Sequence, residues 1–354
     1  MIAGRGPSPS EVRDPMGVDI SDLVEARKVT LEQLTGRSIA IDAFNTLYQF
    51  ISMIRQPDGT LLMDRDGRIT SHLSGLFYRT AALLEIGVKP AYVFDGKPPE
   101  LKKKTIEARK AAKVEAEVEW KKALEEGDMK RALSKATRTA RLTPDMIEES
   151  LSLLDALGVP WSRAPGEGEA QMGHMARKGD VWAGASQDFD AILFGTPTLV
   201  RNLTLAGKRR LPSGKTVDVS PEIITLGEVL SALQVTREQL VDMGVLIGTD
   251  FNDGVRGIGP KKALALIRKS GNIEGIVADG KVAVPEEYRE VRRIFLEPEV
   301  DDNYKLDWRR VDPESVRRLL CDRHGFSVDR VDSVLGRIVS LESSRKQRSL
   351  DTWA

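Results

Sequence analysis

The sequence predicts an α/β fold with a central, mostly parallel sheet flanked by helices, and three observations predict it. Short apolar, β-branched runs alternate with segments of helical spacing, the pattern of parallel strands joined by crossover helices. These runs stop at acidic residues, "SIAI" at Asp42, "AYVF" at Asp95 and "VWAGAS" just before Asp188 and Asp190. The chain has 354 residues with 41% hydrophobic content, enough to bury a core in one large or two ordinary domains.

Taken in order, residues 1–15, "MIAGRGPSPSEVRDP", are rich in Gly, Pro and Ser and predict disorder. They lack the apolar stretch of a secretory signal. "SIAIDAFNTLYQFI" reads as a strand reaching Asp42 that turns into a helix. "HLSGLFYRTAALLEIG" has helical spacing and ends at Gly87, a C-cap. "KPAYVFDGKPP" is a buried strand stopped by a Gly/Pro turn. "LDALGVPWSRA" is a helix end followed by a short strand, and "DVWAGASQDFDAILFG" is a further apolar run. Helices are expected from Leu226 to Leu266, interrupted by "NDGVRGIG", and again from Tyr288 to Leu341 with a break near Asn303. There is no repeat of solenoid length. No apolar run reaches the ~18 residues of a membrane helix, the best candidate, Ile39 to Ile54, containing Asp42 and Asn45.

Charge is informative by its distribution. Lys plus Arg and Asp plus Glu are both 53, so the net charge points to no partner. Residues 97–141, however, hold 14 Lys/Arg against 8 Asp/Glu. This segment is helical by propensity, breaks at "EEGD", and carries thin apolar lines such as Ile106, Val114, Val118 and Trp120. A helix polar nearly all round does not bury itself in a core. It is either a solvated hairpin or a basic arm that meets nucleic acid. The one cysteine, Cys321, excludes an internal disulfide and fits a reducing compartment.

Seven carboxylates fall at element ends: Asp42, Asp95, Glu167, Glu169, Asp188, Asp190 and Asp250. In open α/β sheets, sites form beyond the carboxyl ends of the strands. Seven converging carboxylates repel one another unless cations offset them. Oxygen-only ligation selects a hard ion, Mg²⁺ or Mn²⁺. His72, His174 and His324 show no metal-ligand spacing, which argues against zinc. The pairs 167/169 and 188/190 are expected to present both carboxylates to one side of an extended segment. Two hard ions held this way suit phosphodiester hydrolysis. Separately, "GVRGIGPKKALALI", Gly254 to Ile267, has Gly257 and Gly259 in a tight turn and Lys261 and Lys262 in the first turn of a helix. Bare N–H groups at a helix start accept phosphate. This is the helix-hairpin-helix pattern, which grips a DNA backbone without reading sequence.

The stretches "MGVDISDLV" (16–24), "IAIDAFNTLYQF" (39–50), "YVFDGKPPELK" (92–102), "APGEGEA" (164–170), "SQDFDAILFG" (186–195) and "IGTDFNDGVRGIGPKKAL" (247–264) together resemble the flap endonucleases, structure-specific 5′ nucleases of archaeal and eukaryotic replication. The resemblance implies a PIN-like 5′-nuclease domain over 16–341, with the helical arch at about 97–141 and the helix-hairpin-helix at about 226–270. It implies that the seven carboxylates are metal ligands or their supports, for two Mg²⁺ per subunit with Mn²⁺ as a substitute. The family's catalytic cations fall on Lys102 and Arg109, the stacking tyrosine on Tyr48, and the glycine packed near the site on Gly17. Tyr48 reads equally as a core aromatic at helical spacing.

Residues 342–354 are expected to form a flexible tail. Its end, "QRSLDTWA" (347–354), resembles the sliding-clamp (PCNA) box, with Gln347, Leu350 and Trp353 matching and Ala354 in place of the last aromatic. Clamp binding weaker than in relatives with both rings is therefore expected, since truncating a buried anchor costs ~2 kcal/mol or more. The resemblance suggests Met16 as the start of the functional chain and an archaeal-type, cytoplasmic, nucleoid-associated monomer. It implies a hydrolase that cuts 5′ flaps and acts as a 5′–3′ exonuclease in Okazaki fragment maturation and base excision repair. The competing readings are a general exonuclease or RNase of the same superfamily, and a non-catalytic DNA-binding clamp adaptor.

Overall fold

The computed structural model describes residues 17–210 and 216–351. Its main sheet has seven strands: β1 (Arg27–Lys28), β2 (Ser38–Asp42), β3 (Lys89–Phe94), β4 (Trp161–Arg163), β5 (Ala183–Ala185), β6 (Thr198–Arg201) and β9 (Glu222–Thr225). A separate antiparallel hairpin joins β7 (Gly207–Arg210) to β8 (Thr216–Val219). The sheet order is β1-β9-β6-β5-β2-β3-β4. The strands β6, β5, β2, β3 and β4 are parallel, and β9 adds the antiparallel edge shared with β1. The expected mostly parallel sheet is therefore present. Three parallel strands read as continuous apolar runs because both faces are covered: β2 is buried from Ile39 onward, β3 from Pro90 onward and β5 throughout.

The helices are α1 (Ala43–Met53), α2 (Ser71–Ile86), α3 (Lys103–Glu125), α4 (Met129–Ala136), α5 (Pro144–Ala156), α6 (Gly168–Lys178), α7 (Asp190–Leu193), α8 (Leu226–Leu233), α9 (Arg237–Ile247), α10 (Pro260–Ser270), α11 (Ile273–Asp279), α12 (Tyr288–Leu296), α13 (Pro313–Arg317) and α14 (Val328–Asp351). Caps set several of the boundaries. Thr143 accepts the Met146 amide ahead of Pro144 at the start of α5. Thr236 and Gln239 form a capping box on α9, and α2 ends at Gly87 with φ 90°. Two large cores result. One packs α1, α2, α5 and the C-terminal helices on the sheet. The other gathers α7, α9, α10, α11 and α12 around Phe194 and Phe295, whose ring centroids are 4.7 Å apart.

The basic segment forms α3 and α4, broken at Gly127, and the pair lean on each other through Ala116, Ala123, Ala132 and Ala136. Val114 and Val118 stay exposed, while Trp120 Nε1 donates to the Asp58 carbonyl at 3.2 Å. The break expected near Asn303 is a longer non-helical strap from α12 to α13. It is held by Gln171, which exchanges two hydrogen bonds with the Asp301 backbone. Met16 and residues 1–15, with Trp353 and Ala354, lie outside the described residues. The backbone of α14 runs past position 342 to Asp351, and the side chains of Gln347 and Leu350 are likewise outside the described set.

Candidate active site

The parallel part of the sheet begins with β2, moves outward through β3 and β4, and returns to the other side of β2 with β5. The carboxyl ends of β2 and β5 are thus a topological switch point, where such folds bind ligands. Asp42 ends β2 and caps α1, its Oδ1 accepting the Asn45 amide at 2.9 Å. Asp95 follows β3, and its Oδ1 accepts the Gly168 amide at 2.7 Å. A Cβ on Gly168 would stand 2.6 Å from that oxygen, so the close approach requires glycine.

The two acidic pairs meet the site in a different way from that expected of extended segments. Glu167 is the N-cap of α6 with Glu169 in its first turn, and Asp190 is the first residue of α7 with Asp188 in the preceding turn. The physical reason is local. Chain leaving β4 and β5 turns directly into helices, and the first turn of α6 favours carboxylates at its positive end. Asp250 lies in a tight turn after α9, closed by Thr249 and Asn252.

Six of these carboxylates are held above their ordinary range. Burial, followed by repulsion among them, is the main raising influence. Asp42, Asp188 and Asp190 are each pushed up to about 7, and Asp95 to about 6. Glu167 and Glu169 are raised as well. Hydrogen bonds offset part of this. Asn45 Nδ2 donates to Asp188 at 2.8 Å, Ser186 Oγ to Glu169 at 2.8 Å and the Val18 amide to Asp190 at 2.7 Å. Asn45, Ser186 and Val18 were not singled out from the sequence, although each lies within a stretch that carried the resemblance.

Lys102 and Arg109 enter from the foot of the arch. Lys102 Nζ contacts Glu167 and is 3.5 Å from Asp250 Oδ2, and Arg109 Nη2 is 2.5 Å from Asp250 Oδ1. Burial works against the Lys102 charge, but Glu167, Asp250 and Asp95 outweigh it and hold the ammonium above its ordinary range. Gly17 donates its amide to Asp250 at 3.1 Å. With φ 75° and a Cβ position 2.8 Å from Asp190, it accepts no side chain without strain. Tyr48, half-buried on α1, packs against Ile51, Ala140 and Met146 and lies under the Lys113 ammonium, 4.5 Å from its ring centroid. It therefore takes part in a small core while facing the arch.

The donor set, seven carboxylates, most of them desolvated, with short-range support, fits hard divalent cations. As placed, Lys102 stands among these oxygens, and no group of three or more His, Cys, Asp or Glu side chains among the described residues is arranged to hold an ion. Lys102 and Arg109 take up oxygens of Glu167 and Asp250 that an ion would also need.

The helix-hairpin-helix is formed by α9 and α10. Gly257 has φ 80°, Gly259 caps α10 and Pro260 opens it. Lys262 Nζ donates to the Gly257 carbonyl at 2.8 Å, and Lys261 is exposed. Arg256, Lys262, Lys269 and Lys281 line the hollow beside the turn.

Comparison with known proteins agrees with this geometry. The XPG N-terminal domain matches residues 17–116 and the XPG I-region residues 158–250, which defines a nuclease of the XPG class. Flap endonuclease 1 of Aeropyrum pernix is 50% identical over 349 residues, covering 96% of this chain and 99% of that protein. That of Pyrococcus furiosus is 50% identical over 341 residues, covering 96% and 99%. The solved flap endonuclease-1 from Methanococcus jannaschii superposes with a TM-score of 0.74 at 41% identity, covering 93% of this chain and 100% of that one. The catalytic core of Rad2 in complex with DNA substrate shares the fold, with a TM-score of 0.68 at 24% identity over 88% of this chain and 96% of that one. The chain belongs to the flap endonuclease family, hydrolases of phosphodiester bonds. Among the described residues no helix is long and apolar enough to cross a membrane.

Proposed function

We propose that this chain is a Mg²⁺-dependent 5′ flap endonuclease with 5′–3′ exonuclease activity, cutting DNA at single-/double-strand junctions in Okazaki fragment maturation and base excision repair. The observation that carries the reading is the gathering of seven carboxylates, most of them desolvated, beneath two cations from the arch. A protein with no use for cations gains nothing by keeping that repulsion, so the non-catalytic clamp adaptor is not favoured. When bound, two Mg²⁺ ions (Mn²⁺ substituting) supply Lewis-acid charge at the scissile phosphate and an activated water.

The residues of the chain do the rest. Asp42, Asp95, Glu167, Glu169, Asp188, Asp190 and Asp250 hold the ions directly or through water. Lys102 and Arg109 release their carboxylates and stabilise charge developing on the phosphate. Tyr48 offers its ring to the nucleotide next to the cut. Gly257, Gly259, Lys261 and Lys262 grip duplex phosphates, so binding is salt-sensitive and sequence-independent. The arch selects a free 5′ strand, Gly17 lines the substrate side, and Gln347, Leu350 and Trp353 engage a sliding clamp. The enzyme works as a cytoplasmic, nucleoid-associated monomer.

The test is incubation with 5′-flap, nicked and single-stranded DNA in Mg²⁺ or in EDTA. Flap cleavage with Mg²⁺ alone is expected. Equal cleavage in EDTA overturns the metal mechanism, and no cleavage in Mg²⁺ restores the adaptor.

A further inference from the structure

The arch stands on two feet of different character. Its C-terminal foot packs Ala140 and Leu142 on Tyr48 and Ile51 of α1. Its N-terminal foot is tied to the turn 250–253 almost entirely by charge. Lys102 lies beside Asp250, Arg109 binds the Asp250 carboxylate and Lys104 pairs with Asp253 on the surface. Lys102 also lies over the Phe251 ring, 5.7 Å from its centroid, and Leu101 leans on the core beneath. Within this set one hydrogen bond is neutral: Thr105 Oγ1 donates to the Asp250 main-chain carbonyl at 2.8 Å.

That bond differs from its neighbours in one respect. The carboxylates that hold Lys102 and Arg109 are the groups that must turn toward cations when the site works. As they turn, the ion pairs of the foot weaken. A hydrogen bond to the Asp250 carbonyl is indifferent to what the Asp250 carboxylate binds. It also joins the arch to the stretch that leads, five residues on, into the hairpin turn at Val255 to Gly259.

We propose that Thr105 is a positioning residue. Its hydroxyl keeps the arch foot registered on the Asp250 turn while the ion pairs there are exchanged, so that Lys102 and Arg109 stay over the scissile phosphate. The proposal rests on the nuclease reading above. Because Thr105 is one helical turn before Arg109 and three residues after Lys102, release of this point lets both cations shift together. Misplacement by about 1 Å costs up to ~10²-fold in rate, and Leu101 still packs, so a loss of about tenfold is expected.

The experiment compares Thr105→Val, which keeps shape and removes the donor, with Thr105→Ser, which restores it. Thr105→Val should lower kcat on a 5′ flap about tenfold with KM changed less than twofold, and Thr105→Ser should return kcat to within about twofold of wild type. Hydrogen exchange of the metal-free proteins is the second readout. Amides of residues 103–107 should exchange faster in the valine variant and at the wild-type rate in the serine variant. The proposal is overturned if Thr105→Val keeps the wild-type kcat, or if serine is as impaired as valine. Failure of the nuclease reading is distinguishable, because the wild type would then leave flaps uncut, and the exchange data alone would decide whether the tie exists.

Discussion

Two clusters of buried ionisable groups handle their charge in opposite ways. At the switch point, seven carboxylates face two cations, and burial drives most of them toward the neutral form. Where α2, α5 and the residues before α14 meet, two carboxylates face four potential cations. His324, fully buried, has Nδ1 2.9 Å from Asp64 and Nε2 3.2 Å from Glu149. His72, also fully buried, is 3.3 Å from the other Glu149 oxygen. Arg68 and Arg323 close the group at 2.7 Å from Asp64 and 3.1 Å from Glu149. Burial works to raise both acids, but the Arg68 amide and side chain and the His324 ring hold Asp64 well below the ordinary range. The His72 ring, 3.3 Å away, with His324 and Arg323 beside it, holds Glu149 below it as well. A matched cluster is a fastener. A mismatched one stores a demand for charge that a ligand can meet, which is why the acid-rich edge reads as the site.

Single deletions should pull the two clusters apart most widely. Asp188→Ala removes an oxygen donor from the centre, so flap cleavage should fall by at least about a thousandfold, given the several kcal/mol a cation supplies to the transition state. Flap binding should persist, and in chelator the melting temperature should rise, because one repelling carboxylate is gone. Glu149→Ala should do the reverse. It leaves two buried imidazoles without their shared carboxylate, and a buried polar group left unpaired costs about 1–3 kcal/mol, while cleavage per folded molecule survives. Calorimetry beside single-turnover cleavage checks both. If Asp188→Ala cuts at the wild-type rate, the site assignment is wrong.

The clusters should also answer pH with opposite sign. Asp42, Asp188 and Asp190 have folded values near 7 against about 3.9 for an unfolded aspartate. Their contribution to stability is full below pH ~4 and is lost as pH rises to about 7. Asp64 and Glu149 are depressed, so theirs is present above pH ~4 and lost on acidification. Between pH 5 and 8 the acidic centre should therefore dominate. In EDTA the melting temperature should fall as pH rises, and Mg²⁺ should flatten the slope. A slope equal in both conditions would mean that the centre takes up no ion.

The sequence disclosed these clusters unequally, for physical reasons. Asp42 and Asp95 were legible because each ends a run of buried β-branched and aromatic residues, and the change from apolar to acidic marks a strand end. The hairpin was legible because a positive φ at Gly257 and a capped helix start leave a local signature. The edge strand β1, its neighbour β9 and the hairpin of β7 and β8 were not foreseen. They are two to four residues long, too short for a periodicity to develop. The arrangement of Glu167 and Glu169 was misjudged because alternation presumes extended chain, whereas Gly168 begins a helix. Asp64, His72, Glu149 and His324 share no motif. They meet only because α2, α5 and the C-terminal helices pack on one face of the sheet, a relation that no local spacing encodes.

The smallest expected effect falls on Arg323, whose side chain is 53% exposed. Its ion pair with Glu149 stands half in solvent, and exposed pairs contribute about 0–1 kcal/mol. If the two imidazoles are what balance Glu149, Arg323→Ala should lower stability by no more than that and leave cleavage unchanged. If it instead costs as much as Glu149→Ala, the guanidinium is the principal counter-charge. The matched cluster would then be a surface ion pair with two buried spectators, and the contrast with the acidic centre would lose its physical basis.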